Sequence, residues 1–267
     1  MFDFFSDPKI IQQLEYLSGG LGFAVWETIY STVMATLCAH LIGIPLGIIL
    51  VTGEEGGIRP LPRPFMGILN VIVNLLRSVP FLILMVLVFP LSRLILGTGI
   101  GTTATIVPLT VAAFPFVSRL VEASLRETDK GVIEAAQAMG CSPVQIVWKV
   151  MLPESMPSLI SSFTTAFITI LSYGAMAGAI GGGGLGQMAL NMGHARGNTL
   201  MLWVAVIFLV ILVQIFQSIG THLSVSLDRR INRKAKGSGT KAARRKTAGD
   251  SQQEIVNNKN GQIGKFR

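Results

Sequence analysis

The chain has 267 residues, 50% of them hydrophobic and 13% charged, and carries a net charge of +8. That balance excludes an ordinary soluble domain, and several windows approach the ~20 apolar residues a helix needs to cross a hydrocarbon core about 30 Å thick. The basic excess does not mark a nucleic-acid binder: 12 of the 22 Lys and Arg lie after Leu227, opposed there only by Asp228, Asp250 and Glu254.

Residues 1–25 hold Asp3, Asp7, Lys9 and Glu15 and lack the basic start of a cleavable signal peptide. The first predicted span, about 26–51, serves as its own insertion signal; Pro45 sits near its far end, where a kink is tolerable. Gly53-Glu54-Glu55-Gly56-Gly57 and Pro60, Pro62 and Pro64 break it off.

The second predicted span, about 65–89, is interrupted by Asn70, Asn74, Arg77, Ser78 and Pro80. At about 1.5 Å rise per residue, Arg77 falls near mid-membrane. An arginine there costs at least ~2.5 kcal/mol, so it should face protein or water. Two readings of it stand: a gate or pathway charge able to meet a substrate carboxylate, or a structural role, as a pairing with a backbone carbonyl or an end-of-helix snorkel, aided by the break at Pro80. A polar turn, Gly97-Thr98-Gly99-Ile100-Gly101, leads to the third predicted span, about 103–121.

A long polar insert follows. Thr128 or Asp129 caps a helix with body 131–139, and Gly140 is a natural terminator. Ser142 then reads as an N-cap with Pro143 at the first helical position, opening a second short helix through Val150 that Pro153 ends. A plain connector needs only a handful of residues, so this rigid elbow has another purpose. Ala135, Ala136 and Ala138 give a small-residue face able to seat against another protein, with Glu134 as a charged contact at its edge. The alternative is a solvated helix-turn-helix on the membrane surface.

The fourth predicted span covers about 159–180. Its Ser161, Ser162 and Ser172 bond to their own helix or line a polar pathway flanked by Tyr173. Gly181 to Gly186 formally fits a dinucleotide fingerprint, but no strand–helix–strand unit surrounds it. A flexible outside loop, or close backbone packing at a pathway mouth, is the better reading. Gly43 and Gly47, like Gly174 and Gly178, have the spacing of ordinary tight helix packing. The fifth predicted span is about 200–223, and residues 224–267 form a basic tail expected to be disordered.

No G-x-x-x-x-G-K-S/T occurs, so the phosphate-cradling loop of an ATPase is missing and the chain is expected to catalyse nothing. His40, His194 and His222 lie far apart without Cys or carboxylate partners at ligand spacing, and Cys38 and Cys141 make no disulfide framework. Neither a metal nor a cofactor is expected. Placing loop 52–63, the insert and the tail on one side collects 18 of the 22 basic residues there. By the positive-inside rule that side is cytoplasmic, with the N-terminus outside, which five spans satisfy.

The order Glu134-Ala135-Ala136, three residues, Gly140, nine residues, then Val150-Met151-Leu152-Pro153 resembles the EAA loop of ABC importer permeases. Leu76-Arg77-Ser78-Val79-Pro80-Phe81, Ile106-Val107-Pro108-Leu109-Thr110 and Gly181 through Gln187 extend the likeness over about 26–223, and together they look like the methionine-importer permeases of the type I ABC family. That resemblance implies an all-α membrane helix bundle, with residues 26–223 as its transmembrane domain and 128–153 as the coupling loop, in a bacterial inner membrane. It implies two copies of the permease, two ATP-hydrolysing subunits, an outside binding protein and alternating access, with lipid around the bundle and no nucleic acid. Glu134, Ala135, Ala136, Gly140, Leu152 and Pro153 would then couple to the ATPase, and Arg77, Ser78, Pro80, Ser172 and Tyr173 would border the pathway. The tail departs from the compact family pattern.

The same machine working on another amino acid, an osmoprotectant or a small polar solute fits the loop equally well. A secondary transporter fits less well, given the elaborate elbow and the few membrane-embedded carboxylates available for ion coupling. An intramembrane enzyme lacks a catalytic constellation.

Overall fold

A computed structural model of the protein describes residues 8–227, with side chains from Gly19 onward, so the expected basic tail lies outside the described residues. The chain up to Ser224 forms one compact unit; of a second, from Val225, only the end of the last helix is described. Among the described residues the fold is all-α.

Helix α1 (Pro8–Thr52) contains a 34-residue apolar stretch, Gly19–Thr52, and runs beside α4 (Thr102–Arg126). At one end of the pair Thr102 Oγ1 donates to Glu27 Oε1 at 2.6 Å; at the other, Arg126 and Glu54 pair at 2.8 Å. The two helices are therefore parallel. Gly43 and Gly47 allow the approach: a Cβ added at Gly43 would stand 2.6 Å from Val117 Cγ1, and one at Gly47 2.7 Å from Val121 Cβ. The expected role of this pair as bundle packing holds. Ala35, Ala39, Leu109, Ala113 and Val117 fill the seam, and Ala166 and Ile170 of α8 (Met156–Ala177) close it from a third side.

The second predicted span is two helices, not one. Helices α2 (Arg63–Ser78) and α3 (Phe81–Leu96) meet at a bend of 108°. Proline explains the break: Val79, preceding Pro80, is extended at φ −76°, ψ 129°, because the proline ring disfavours a helical residue before it. Pro80 then serves as N-cap of α3. Since α1 and α4 are parallel, the chain must return from the Thr52 end to the Thr102 end between them, and only α2 and α3 lie in that interval. The bent pair is one broken crossing, giving five among the described residues.

Two further elements flank the last long helix. After α8 and a short turn, Gly178–Ile180, the chain folds back through α9 (Gly184–Gln187) and a wider π turn, Met188–Ala195. Helix α10 (Thr199–Leu227) completes the bundle. Met201, Ala205 and Leu212 of α10 meet Leu185, Met188 and Ala189 in a second apolar cluster, with Ala24, Phe167 and Leu171. The outer face of α10 leaves Trp203, Ile207, Val210 and Ile211 exposed, as a lipid-facing helix requires.

Candidate functional site

The insert is an elbow with its own core. Helix α5 (Lys130–Ala138) is capped by Asp129, whose Oδ1 accepts from Gly131 N–H at 2.7 Å. Its far end closes as a Schellman motif: Gly140, at φ +77°, donates to Gln137 O at 2.9 Å, and Cys141 N–H reaches Ala136 O at 3.1 Å. The second arm opens at α6 (Pro143–Ile146) with a full capping box between Ser142 and Gln145. It does not end where the sequence suggests. A π turn over Val147–Met151 carries it into α7 (Leu152–Glu154), with Pro153 inside the helical run. The wider turn just before Pro153 suits a residue that has no N–H to give and whose ring crowds the preceding carbonyls.

Burial divides the elbow into two faces. Ala136, Ile146, Val147 and Met151 are buried against the α4 end, with Leu152 half-buried beside them. Ala136 thus supports the elbow from within and does not belong to its outer face. The outer face holds Glu134, Ala135, Ala138 and Pro153, all exposed, and four large apolar side chains, Val132, Met139, Val144 and Trp148. Trp148 is 66% exposed and Met139 76%, on a segment beyond the apolar spans. Glu134 makes no hydrogen bond or ion pair among the described residues.

The root of the elbow is tied by hydroxyls. Thr128, one of the two expected caps, bonds Ser155 Oγ at 2.9 Å, joining the residues on either side of the insert. Ser158 Oγ donates to Glu127 Oε1 at 3.0 Å and lies 3.2 Å from Ser124 Oγ, which in turn lies 2.8 Å from Ser162 Oγ. Ser162 therefore bonds across to α4, not within its own helix.

Beside the root lies an ionic cluster the sequence reading missed. Glu122 is buried and takes Arg119 Nη1 at 2.7 Å and Arg126 Nη2 at 2.8 Å. Arg119 Nη2 also donates to Asn70 Oδ1 at 2.7 Å and Asn74 Oδ1 at 3.0 Å, while Arg63 pairs with Glu55. The cluster borders a cavity of about 520 Å³ and fastens loop 52–63 and α2 to α4. Charged side chains besides Arg77 lie within the spans: Arg119 and Glu122 inside α4, and Glu27 inside the apolar stretch of α1. The available signal was the pair of asparagines at helical spacing, Asn70 and Asn74, opposite an i, i+3 charge pair on the next span.

Arg77 occupies the last turn of α2, where a cation suits the helix dipole. It is exposed and makes no hydrogen bond or ion pair among the described residues, so the carbonyl-pairing reading has no support in the geometry. It lines a cavity of about 170 Å³ with Phe81, Phe116 and Tyr173. Phe81 and Tyr173 stack at 4.1 Å between centroids, 10° from parallel. Ser78 Oγ donates to Asn74 O at 2.8 Å, a bond back onto its own helix. On α8, exposed Thr165 and Ser172 with half-buried Thr169 between them form a hydroxyl stripe, each bonded to the carbonyl four residues back. The structure brings Arg77, Pro80 and Tyr173 to one side of the bundle and keeps the elbow residues at the Thr52 end.

The glycine run resolves as close backbone packing. Gly183 and Gly184 have positive φ, and a Cβ on Gly184 would meet Thr28 Oγ1 at 2.5 Å.

Comparison with known proteins adds the family. Residues 43–233 match the model of the binding-protein-dependent transport system inner membrane component. The probable D-methionine transport system permease protein of Vibrio cholerae is 49% identical over 210 residues, 78% of this chain and 92% of that protein. The methionine import system permease protein of Bacillus subtilis is 44% identical over 163 residues, covering 61% and 73% respectively. An inward-facing structure of the MetNI methionine ABC transporter matches with a TM-score of 0.78 at 41% identity, covering 80% of this chain and 99% of that one. An amino acid ABC transporter shares the fold at a TM-score of 0.62 and 17% identity.

Proposed function

The chain belongs to the binding-protein-dependent transport system inner membrane components, and on that premise we propose how it works. It is the multi-pass inner-membrane permease subunit of an ATP-binding-cassette importer, and it carries methionine, in D or L form, or a closely related amino acid inward by alternating access. ATP hydrolysis belongs to a separate subunit. Two copies of the chain form the permease and two ATP-hydrolysing subunits seat on their elbows. An outside binding protein delivers substrate, and lipid surrounds the bundle.

The observation that carries this reading is the outer face of the elbow. Val132, Met139, Val144 and Trp148 expose large apolar surface on a rigid, doubly capped segment with its own buried core. Apolar surface held in that way on a polar insert marks a protein contact. The elbow side is cytoplasmic, where ATP is found and where the basic loops collect, which leaves the N-terminus outside.

Closure of the ATPase pair draws the two elbows together. Through the hydroxyl-tied root the movement reaches α4 and α8, and the bundle opens at the opposite end. Arg77, Tyr173 and the α8 hydroxyl stripe border the pathway, where a guanidinium without a protein partner suits a substrate carboxylate. Ser78 and Pro80 hold the bend that presents Arg77.

The test is reconstitution of the chain with its ATPase subunit in liposomes, supplied with methionine-loaded binding protein. ATP-dependent uptake of methionine is the expected result. Uptake that proceeds without the ATPase, or that favours a different class of solute, overturns the assignment.

A further inference from the structure

The glycine run and the helix after it form a re-entrant plug whose place is fixed by one acidic residue. Gly182 to Gly186 are buried although the chain there is not part of a long helix. Irregular backbone at membrane depth is tolerated only where protein satisfies its polar groups. Here α1 around Glu27 and Thr28 and the start of α4 do so. Gly101 N–H donates to Gly181 O at 3.1 Å, and Thr105 Oγ1, which donates to Gly101 O at 3.0 Å, stands 3.4 Å from Gly182 O. Leu185 N–H donates to Thr28 Oγ1 at 2.8 Å. Gly184 N–H donates to Glu27 Oε2 at 2.9 Å, and the other carboxylate oxygen of Glu27 accepts from Thr102 Oγ1 at 2.6 Å.

Glu27 is therefore the point where α1, α4 and the plug meet. Its two oxygens serve both neighbours at once, so one side chain ties three segments together. The glycines leave no slack around it: a Cβ on Gly183 would stand 3.2 Å from Glu27 Oε2 and collide with Thr102 Oγ1. Beneath the pins, Leu185, Met188 and Ala189 pack on Ala24, Phe167 and Leu171.

We infer that Glu27 is a positioning residue which locks the plug to α1 and α4, so that these three travel as one rigid body during transport and the outer end opens along seams other than those between them. Its role is geometric: it holds Gly184 and Thr102. The inference rests on the alternating-access reading above, and every variant is compared with a reconstituted complex already shown to transport.

Glu27→Gln keeps both reaches, its Oε1 accepting from Gly184 and its Nε2 donating to Thr102 Oγ1. Glu27→Ala loses both. The full transporter with each variant is assayed for assembly, ATP-driven uptake and hydrogen exchange over residues 181–190. Glu27→Ala should assemble, lose about tenfold in uptake and exchange faster in that segment. Glu27→Gln should stay near the unmodified protein in all three. Because Thr102 acts through the same carboxylate, Thr102→Val on top of Glu27→Ala should add little further loss. Loss of uptake in Glu27→Gln equal to that in Glu27→Ala would assign a charge role and overturn the inference. So would normal uptake in Glu27→Ala, or fully additive losses in the double variant. If Glu27→Ala fails to assemble, Thr102→Val alone decides: faster exchange over 181–190 with reduced uptake supports the lock, and unchanged exchange overturns it.

Discussion

The hydroxyls of Thr128 and Ser155 stand 2.9 Å apart, both buried, and join the two ends of a polar insert that otherwise projects beyond the bundle. A force applied to the elbow reaches α4 and α8 through this bond and the neighbouring Ser124, Ser158 and Ser162. Thr128→Val or Ser155→Ala leaves the surviving hydroxyl buried without its partner, a cost of about 1–3 kcal/mol. The double variant removes both polar groups and should be less destabilised than the two singles added together. Thermal unfolding of the purified complex checks the energetics. Uptake per ATP hydrolysed checks the coupling and should fall in each single variant, whereas an unchanged ratio would leave the root a purely structural joint.

The corner of the elbow depends on Gly140. At φ +77° an alanine is strained by roughly 1–2 kcal/mol, and a proline also removes the N–H that bonds Gln137 O. Gly140→Ala should weaken stimulation of ATP hydrolysis by loaded binding protein, and Gly140→Pro should abolish it, with membrane insertion intact. Glu134→Arg reverses an exposed charge on the outer face and should have the same effect without altering the unfolding temperature. Normal stimulation in Gly140→Pro and Glu134→Arg together would remove the docking role of the elbow.

These two features show how far sequence alone reaches. The caps of the elbow were legible because capping is local: Asp129, Gly140 and the Ser142–Pro143 pair act within four residues of themselves. The π turn before Pro153 was not, since it depends on how the second arm packs against α4. The bend between α2 and α3 was half legible: Pro80 announces a break, but its 108° angle is set by tertiary packing. Glu27 and Glu122 were missed for a different reason. Glu27 bonds Gly184, 157 residues away, which no short-range pattern encodes; Glu122 bonds Arg119 and Arg126 on its own helix, and only the further link from Arg119 to Asn70 of α2 makes them a cluster.

The Glu122 cluster makes a prediction about stability. Its carboxylate is the shared acceptor of Arg119 and Arg126; removing it strands the largely buried Arg119, while half-exposed Arg126 keeps Glu54, so the cost lies below the ~3–5 kcal/mol of a fully buried pair. Glu122→Ala should lower the unfolding temperature clearly more than Glu122→Gln, which still accepts hydrogen bonds. Arg63→Ala breaks only an exposed pair with Glu55, worth at most about 1 kcal/mol, and should be nearly silent. Equal losses for Glu122→Ala and Arg63→Ala would mean that the cluster contributes nothing beyond surface pairing.

Arg77 makes the sharpest prediction about transport. It is exposed at the end of α2, has no protein partner among the described residues, and shares a cavity with Tyr173. A charge-assisted hydrogen bond is worth about 1.5–3 kcal/mol, so losing a contact with substrate carboxylate corresponds to roughly a ten- to hundredfold fall in uptake. Arg77→Ala should therefore transport poorly while assembling normally with the ATPase and unfolding at an unchanged temperature, since no internal bond is broken. Arg77→Lys keeps the charge and loses the planar fork, and should fall between the two. Uptake measured at several substrate concentrations, beside assembly by size-exclusion chromatography, separates the outcomes. A variant that transports normally would take Arg77 off the pathway, and one that fails to assemble would make it a structural cation at the dipole end of α2.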